Sequence, residues 1–304
     1  MRAAVYSKTK SGKVLQIVDV ERPVPKDNEV LIRTRAASVN PLDWRMKSPR
    51  PGVDVAGEVV AAGKHVTQFK PGDAVFGLCR GAFAEYACAS EAELVPKPEH
   101  LTFEQAASIP IAGLTALQAL RDRGHLQPRQ SVLINGAAGG VGTFAVQIAR
   151  SLGADVTGVC STRNVEMVRS LGAAEVIDYT REDFTRNGRH YDVLLDNVGN
   201  HTFSELRRVL TPRGLCVLTG APKQLWAALA RMLKAFAWPP FLHQKFTFFI
   251  AKRNQDDLTT LCALMRTGAV TPVIDKRYQL SATADAIAYV EQGHARAKVV
   301  IGFE

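Results

Sequence analysis

The sequence predicts an α/β protein in which a doubly wound parallel sheet is joined to a β-rich segment. Three observations predict this. Between residues 131 and 220, short apolar runs alternate with segments of helical period, the pattern of parallel strands covered on both faces. The first hundred or so residues instead carry Val-, Ile- and Ala-rich runs broken by Pro, Gly and charged turns, a β pattern. The glycine-rich stretch GAAGGVG falls between a strand and a helix of the alternating part.

In the β-rich part, strands are expected at 2–6, 14–20, 30–39, 53–61, 74–78 and 83–87, with Pro71-Gly72-Asp73 as the turn before the fifth. The period changes at Thr102, a plausible N-cap with Glu104 in the first turn, and helical spacing runs to Gly124 with a break at Pro110. The alternating part then gives strands at 131–135, 155–159, 175–179, 191–199 and 215–220, and helices at 141–152, 165–171 and 203–210. Glycine closes the first two of those helices, at Gly153 and Gly172. The tail carries helices at 256–267 and 282–292 and a closing strand at 297–303. The domains expected are residues 1–106 with 268–304, and residues 107–267.

The loop GAAGGVG places Gly136, Ala138, Gly139, Gly140, Val141 and Gly142 between strand SVLIN and the following helix. Glycines there let backbone approach a pyrophosphate, and the helix N-terminus offers free N–H groups and partial positive charge. This is a Rossmann-type dinucleotide site, and the flanking strand and helix are the context that such a glycine pattern needs. An NAD site expects an acidic residue about 20 residues on, at the end of the second strand. Here that strand ends in Ser161, Thr162, Arg163 and Asn164. Hydroxyls, a guanidinium and an amide suit a 2′-phosphate, so the cofactor expected is NADPH, with no carboxylate competing. Capping of the next helix by Ser161 and Thr162 is the alternative.

The remaining features narrow the class. A hydrophobic fraction of 46% and a charged fraction of 22% are those of a globular chain. The net charge of +9 is spread along the sequence rather than gathered in a run, so a solvated basic surface is expected and a nucleic-acid partner is not. Neither a signal peptide nor a membrane span is expected. The five cysteines are dispersed, without a C-x-x-C pair. That spacing suits neither a disulfide framework nor a Cys-built zinc site, and suits a reducing cytoplasm.

SVNPLDW (38–44), GVDVAGEV (52–59), FKPGDAVFG (69–77), GAFAEY (81–86), LTALQAL (114–120), GAAGGVG, CSTRNVEMVRSLGAAEVIDY (160–179) and YDVLLDNVGN (191–200), in this order, resemble the zinc-independent quinone oxidoreductases of the medium-chain dehydrogenase/reductase superfamily. The resemblance spans nearly the whole chain. It implies a GroES-like catalytic domain beside the Rossmann domain, a homodimer, and quinone or α,β-unsaturated carbonyl substrates reduced by hydride transfer from NADPH. Zinc-dependent members of the superfamily carry Cys where Asn40 stands and His-Glu where Val53 and Asp54 stand. A carboxamide and an apolar side chain supply neither thiolate nor imidazole, so no metal is expected.

The resemblance also implies site residues. Asn40 faces the cofactor in similar enzymes and is a candidate neutral donor to the carbonyl oxygen, or else a purely structural residue before Pro41. Tyr86 is a candidate proton donor, or a core tyrosine at a strand end. Thr115 is implied near the phosphates, Tyr179 near the adenosine, and Asn197, Val198 and Gly199 near the ribose and nicotinamide. Asp196 is expected to orient backbone. The connection from Trp44 to Gly52 is shorter than in relatives, which leaves a more open site, a substitute cover or reduced activity as readings. The aromatic, basic stretch 225–252 is that cover, a dimer surface or a membrane contact. A rival from another class is a catalytically weak NADPH sensor or RNA-binding protein on the same fold.

Overall fold

The computed structural model describes residues 1–9, 12–45, 48–220, 233, 243–293 and 295–303. Most of the stretch 225–252, and two residues of the short 44–52 connection, therefore lie outside the described residues. The chain divides into two compact units, Met1–Leu114 with Arg253–Arg266 and Pro272–Glu304, and Thr115–Lys252 with Thr267–Thr271.

Among the described residues, the first unit holds a hairpin of β1 (Arg2–Thr9) and β2 (Gly12–Asp19) and a seven-stranded sheet. Its order is β14 (Ile274–Gln279), β15 (Lys298–Gly302), β3 (Glu29–Ser38), β4 (Asp54–Ala62), β5 (Ala74–Leu78) and β7 (Leu94–Pro96), with β6 (Tyr86–Ser90) paired to β3. All pairs are antiparallel except β14 with β15. The core is built by alternate residues of these strands, including Val30, Ile32, Val55, Val59, Val75, Phe83 and Ile301. Two elements lie elsewhere than expected. The sixth strand begins at Tyr86: Phe83 and Ala84 are buried in a loop whose backbone pairs with β1 through an isolated bridge, Ala3 to Ala84. The helix Gln255–Arg266, expected with the Rossmann part, belongs to this unit. Gln255 donates to the Leu94 carbonyl, and Leu258 and Leu261 are fully buried. Amphipathic spacing reveals a helix's buried face, but not which sheet will cover it.

Among the described residues, the second unit holds a six-stranded parallel sheet in the order β10 (Glu175–Asp178), β9 (Asp155–Cys160), β8 (Ser131–Asn135), β11 (Tyr191–Asp196), β12 (Leu210–Leu218), β13 (Lys245–Phe248). Numbered within the unit this is 3-2-1-4-5-6, the Rossmann order, whose direction reverses between β8 and β11. The strand at β12 starts at Leu210, where helix was expected: the helix ends at Arg208 and Leu210 already pairs with Tyr191. A register shift between Tyr191 and Val193 accommodates Pro212 and Gly214 within the strand. Helix α4 (Gly140–Ser151) buries Phe144, Ala145, Val146, Ile148 and Ala149. No helix among the described residues is long and apolar enough to cross a membrane.

Candidate cofactor site and a buried polar network

The carboxyl ends of β8 and β11 converge at the point where strand order reverses, the place where open α/β sheets bind ligands. Asn135, the last residue of β8, donates through Nδ2 to Asp196 Oδ1 at 2.9 Å and to Asn200 Oδ1 at 3.0 Å. The same Asp196 oxygen accepts from the backbone N–H groups of Val198 (3.2 Å) and Gly199 (3.0 Å). Asp196, fully buried, thus shapes the loop that presents Asn197, Val198 and Gly199.

The glycine loop follows β8 directly. Gly136 has φ +80°, a conformation L side chains rarely adopt, and a Cβ there would lie 2.8 Å from Val198 Cγ2. A Cβ on Gly142 would stand 2.1 Å from the Gly136 carbonyl oxygen, so the helix can approach the turn only without one. Gly139, the N-cap of α4, differs: a Cβ would meet nothing closer than the Gly136 oxygen at 3.4 Å. Among the described residues, nothing else lies within 4 Å of that position at the helix start. Ala138 is buried, and Gly140 and Val141 open the helix half-buried. Asn197 accepts from Thr219 at 2.7 Å while its Nδ2 is buried without a partner. An orphan donor beside an open helix N-terminus fits a dinucleotide.

At the end of β9, Ser161 makes no side-chain cap bond, so the helix-capping alternative is not what its hydroxyl does. Its Oγ accepts from Asn164 Nδ2 at 3.2 Å, and Asn164 Oδ1 is buried without a partner. Arg163 is exposed on the turn between them. Tyr179, 58% exposed, joins the same edge through its N–H to the Cys160 carbonyl. The expectation that no carboxylate competes is corrected here. Thr162 Oγ1 donates to Asp178 Oδ2 at 2.5 Å, and Asp178 also accepts from the N–H and hydroxyl of Thr180. The Thr162 hydroxyl bond, aided by those of Thr180 and by Arg181, holds the Asp178 carboxyl below the usual range, so it stays charged. It comes from the third strand, not the second, which is why a search along the second strand passes over it. Thr115 lies half-buried in α3 (Pro110–Gln118).

In the β-rich unit, Asn40 is 3% exposed and stands in a network that sequence reasoning did not find. Lys298 Nζ donates to Asn40 Oδ1 at 2.7 Å. Asn40 Nδ2 donates to Asp54 Oδ2 at 2.8 Å and to the Ser38 carbonyl at 3.3 Å. Ser38 Oγ also donates to Asp54 Oδ2 (2.6 Å), and the Ile111 N–H to Asp54 Oδ1 (3.0 Å). Lys298 and Asp54 pair at 3.5 Å with side chains 3% and 0% exposed. Burial drives the Lys298 ammonium below its ordinary range against the opposing pull of Asp54 and Asp43. Asp43 closes the short connection by accepting from the N–H groups of Asn40 (2.7 Å) and Gly52 (3.0 Å). Burial pushes its carboxyl up to about 7, with Asp54 adding to the rise and the two N–H bonds and Lys298 opposing it.

Tyr86 is not part of this network. It opposes Arg33 across β3, whereas Asn40 follows Ser38 at the other end of that strand. Residues 33 and 38 alone are roughly 17 Å apart at strand rise. The Arg22 guanidinium covers the Tyr86 ring at 3.9 Å. The ring face of Tyr86 is taken up by this cation–π packing, which leaves its hydroxyl a candidate donor away from the Asn40 network.

Two family models match parts of the chain. A family model described as the alcohol dehydrogenase GroES-like domain matches residues 26–99, and one described as zinc-binding dehydrogenase matches residues 171–301. The chain is 34% identical to a chloroplast envelope quinone oxidoreductase homolog of Arabidopsis thaliana, over 99% of this chain and 98% of that one. It is 33% identical to a chloroplastic NADPH-dependent alkenal/one oxidoreductase of the same plant, over 99% of this chain and 79% of that one. The solved quinone oxidoreductase of Coxiella burnetii superposes with a TM-score of 0.89 at 31% identity, covering 100% of this chain and 99% of that one. A zinc ion does not suit the donors present here. Asn40 and Asp54, at two of the positions that matter in zinc-dependent members, turn their oxygens to an ammonium instead.

Proposed function

Because the chain belongs to the quinone oxidoreductase family of the medium-chain dehydrogenase/reductase superfamily, we propose that it reduces quinones or α,β-unsaturated carbonyls with NADPH and without a metal. The observation that carries this reading is the cradle at the switch point: a glycine turn, a helix start left open among the described residues and the orphan Asn197 amide beside it. When bound, NADPH supplies a hydride to a carbon conjugated to a carbonyl, and negative charge then gathers on the carbonyl oxygen.

The chain's own residues bind, orient and donate. The first N–H groups of α4 and the Gly136 turn receive the pyrophosphate. Ser161, Arg163 and Asn164 receive the 2′-phosphate, Thr162 being engaged by Asp178. Tyr179 presents an exposed ring for the adenosine. Asn197, Val198 and Gly199 meet the ribose and nicotinamide, and Thr115 the phosphates. Asn40 is the neutral donor to the developing oxygen, through the amide hydrogen that rests on the long 3.3 Å contact with Ser38.

A homodimer and a reducing, cytoplasmic setting complete the proposal. β13 is an edge strand among the described residues, and Ile250 beyond it is 80% exposed, which favours a second copy over solvent. None of the five cysteines is in a disulfide. The function is tested by following NADPH absorbance with purified protein against a panel of quinones and enones, with NADH in parallel. Turnover of NADPH with at least one class supports it; no acceptor-dependent oxidation with any member refutes it.

A further inference from the structure

We propose that Lys298 and Asp54 are positioning residues that hold the Asn40 amide in one orientation and strengthen it as a hydrogen-bond donor. The inference rests on the reductase reading and deepens it. Rotating the Asn40 amide by half a turn would bring its NH2 group against the Lys298 ammonium and its oxygen against the Asp54 carboxylate. Both contacts would become repulsive, so the charge pair makes the two orientations strongly unequal. The ammonium spends its three N–H groups on Asn40 Oδ1 (2.7 Å), Asp54 Oδ2 (3.5 Å) and the Val39 carbonyl (3.5 Å). The shortest of these goes to the amide oxygen, not to the carboxylate. Positive charge on that oxygen draws electron density from the amide nitrogen, and the effect is large where water is excluded. One Nδ2 hydrogen lies on Asp54; the other has only the 3.3 Å contact with Ser38 and is the one with hydrogen-bonding capacity to spare. The pair therefore gives a metal-free unit a fixed, cation-polarised donor.

A simple structural pair would account for the burial but predicts a different response to mutation. Lys298→Met alone leaves Asp54 buried without its counter-charge and is expected to fold poorly. The decisive variant is Lys298→Met/Asp54→Asn, which removes both charges and restores thermal stability towards that of the wild type. In single-turnover reduction of 1,4-benzoquinone and of methyl vinyl ketone, the double variant is expected to lose about tenfold or more in the hydride-transfer rate, a loss of about 1.4 kcal/mol in barrier lowering. Its NADPH affinity, read by cofactor fluorescence, should stay unchanged. Lys298→Arg, which keeps the cation, should recover part of the rate. A double variant with wild-type stability and wild-type hydride-transfer rate overturns the proposal, as does a loss confined to NADPH affinity.

A second readout does not need turnover. The Asn40 side-chain amide pair in ¹H–¹⁵N spectra, assigned by its disappearance in Asn40→Ala, should be protected from solvent exchange in the wild type. In the folded double variant it should exchange faster. Equal protection in both refutes the positioning role. If the wild type shows that protection but oxidises NADPH with no acceptor, the reductase reading fails while the positioning of Asn40 stands.

Discussion

Replacing Arg163 with Ala should weaken NADPH and leave NADH nearly unaffected. Arg163 sits exposed on the turn after β9, between Ser161 and the buried Asn164. A charge-assisted bond to a phosphate contributes about 1.5–3 kcal/mol, and solvent around an exposed guanidinium puts this one at the low end. About 1.4 kcal/mol is tenfold in affinity, so the variant should bind NADPH roughly tenfold more weakly. The wild-type preference for NADPH over NADH should also be nearer tenfold than a hundredfold. Asp178 takes the Thr162 hydroxyl and brings a negative charge to the same rim. Asp178→Asn should therefore raise NADPH affinity relative to NADH. The assay is fluorescence titration of each reduced cofactor at one fixed ionic strength, since screening acts over about 10 Å at 0.1 M salt. If Arg163→Ala weakened both cofactors equally, or neither, the assignment of residues 161–164 to the phosphate would be refuted.

Three further outcomes follow from the geometry. Gly139→Ala should fold with a cost of no more than about 1 kcal/mol at the N-cap, yet bind NADPH at least tenfold more weakly, because the methyl group occupies the open helix start; unchanged affinity would mean that the open space is not the pyrophosphate site. Asp43 holds a proton in the folded state up to about pH 7 but loses it near 3.8 when unfolded. Between those limits the folded state binds more protons, so this group's contribution falls as pH rises from about 4 to 7 by up to about 1.4 kcal/mol per unit. Asp43→Asn should flatten that segment in denaturant titrations from pH 5 to 8, with Asp54, Lys298 and Tyr6 as the other ionisable groups coupled to Asp43; parallel profiles for variant and wild type would contradict it. Light scattering should report a dimer that Ile250→Asp weakens without lowering the thermal midpoint, and a monomeric wild type at micromolar concentration would remove the proposed interface.

The parallel-sheet unit was the more legible half. Its strands are buried on both faces and so announce themselves as continuous apolar runs, and SVLIN begins and ends where expected. Edge strands escape that signal. β14, with the sequence IDKRYQ, is polar because one side of it meets solvent, and β13 is four residues inside an aromatic stretch. The glycines carried the cofactor reading because their restrictions are local: a positive φ at Gly136 and a helix pressed on a turn at Gly142. Lys298 was illegible for the opposite reason. A lysine in a closing strand has the look of a surface residue, and only the pairing of β15 with β3 puts its ammonium among Asn40 and Asp54. Asp178 escaped because the rule for dinucleotide sites inspects one strand, while hydrogen bonding joins the ends of two.

That closing strand also sets an order of events during synthesis. Lys298 is made 258 residues after Asn40, the amide it restrains. Until it emerges, β3 has no β15 beside it, and the carboxylate of Asp54 has no counter-ion. The parallel-sheet unit, whose strands lie in one central stretch of the chain, can settle while the β-rich unit is still waiting. A message cut short before Lys298 would yield a protein with a finished nucleotide cradle and an open, charge-unbalanced partner unit. Such a chain would present an unpaired strand edge to chaperones and proteases. Formation of β15 and neutralisation of the Asp54 carboxylate are thus the same event, which ties the charge balance of the network to the pairing of β3 with β15.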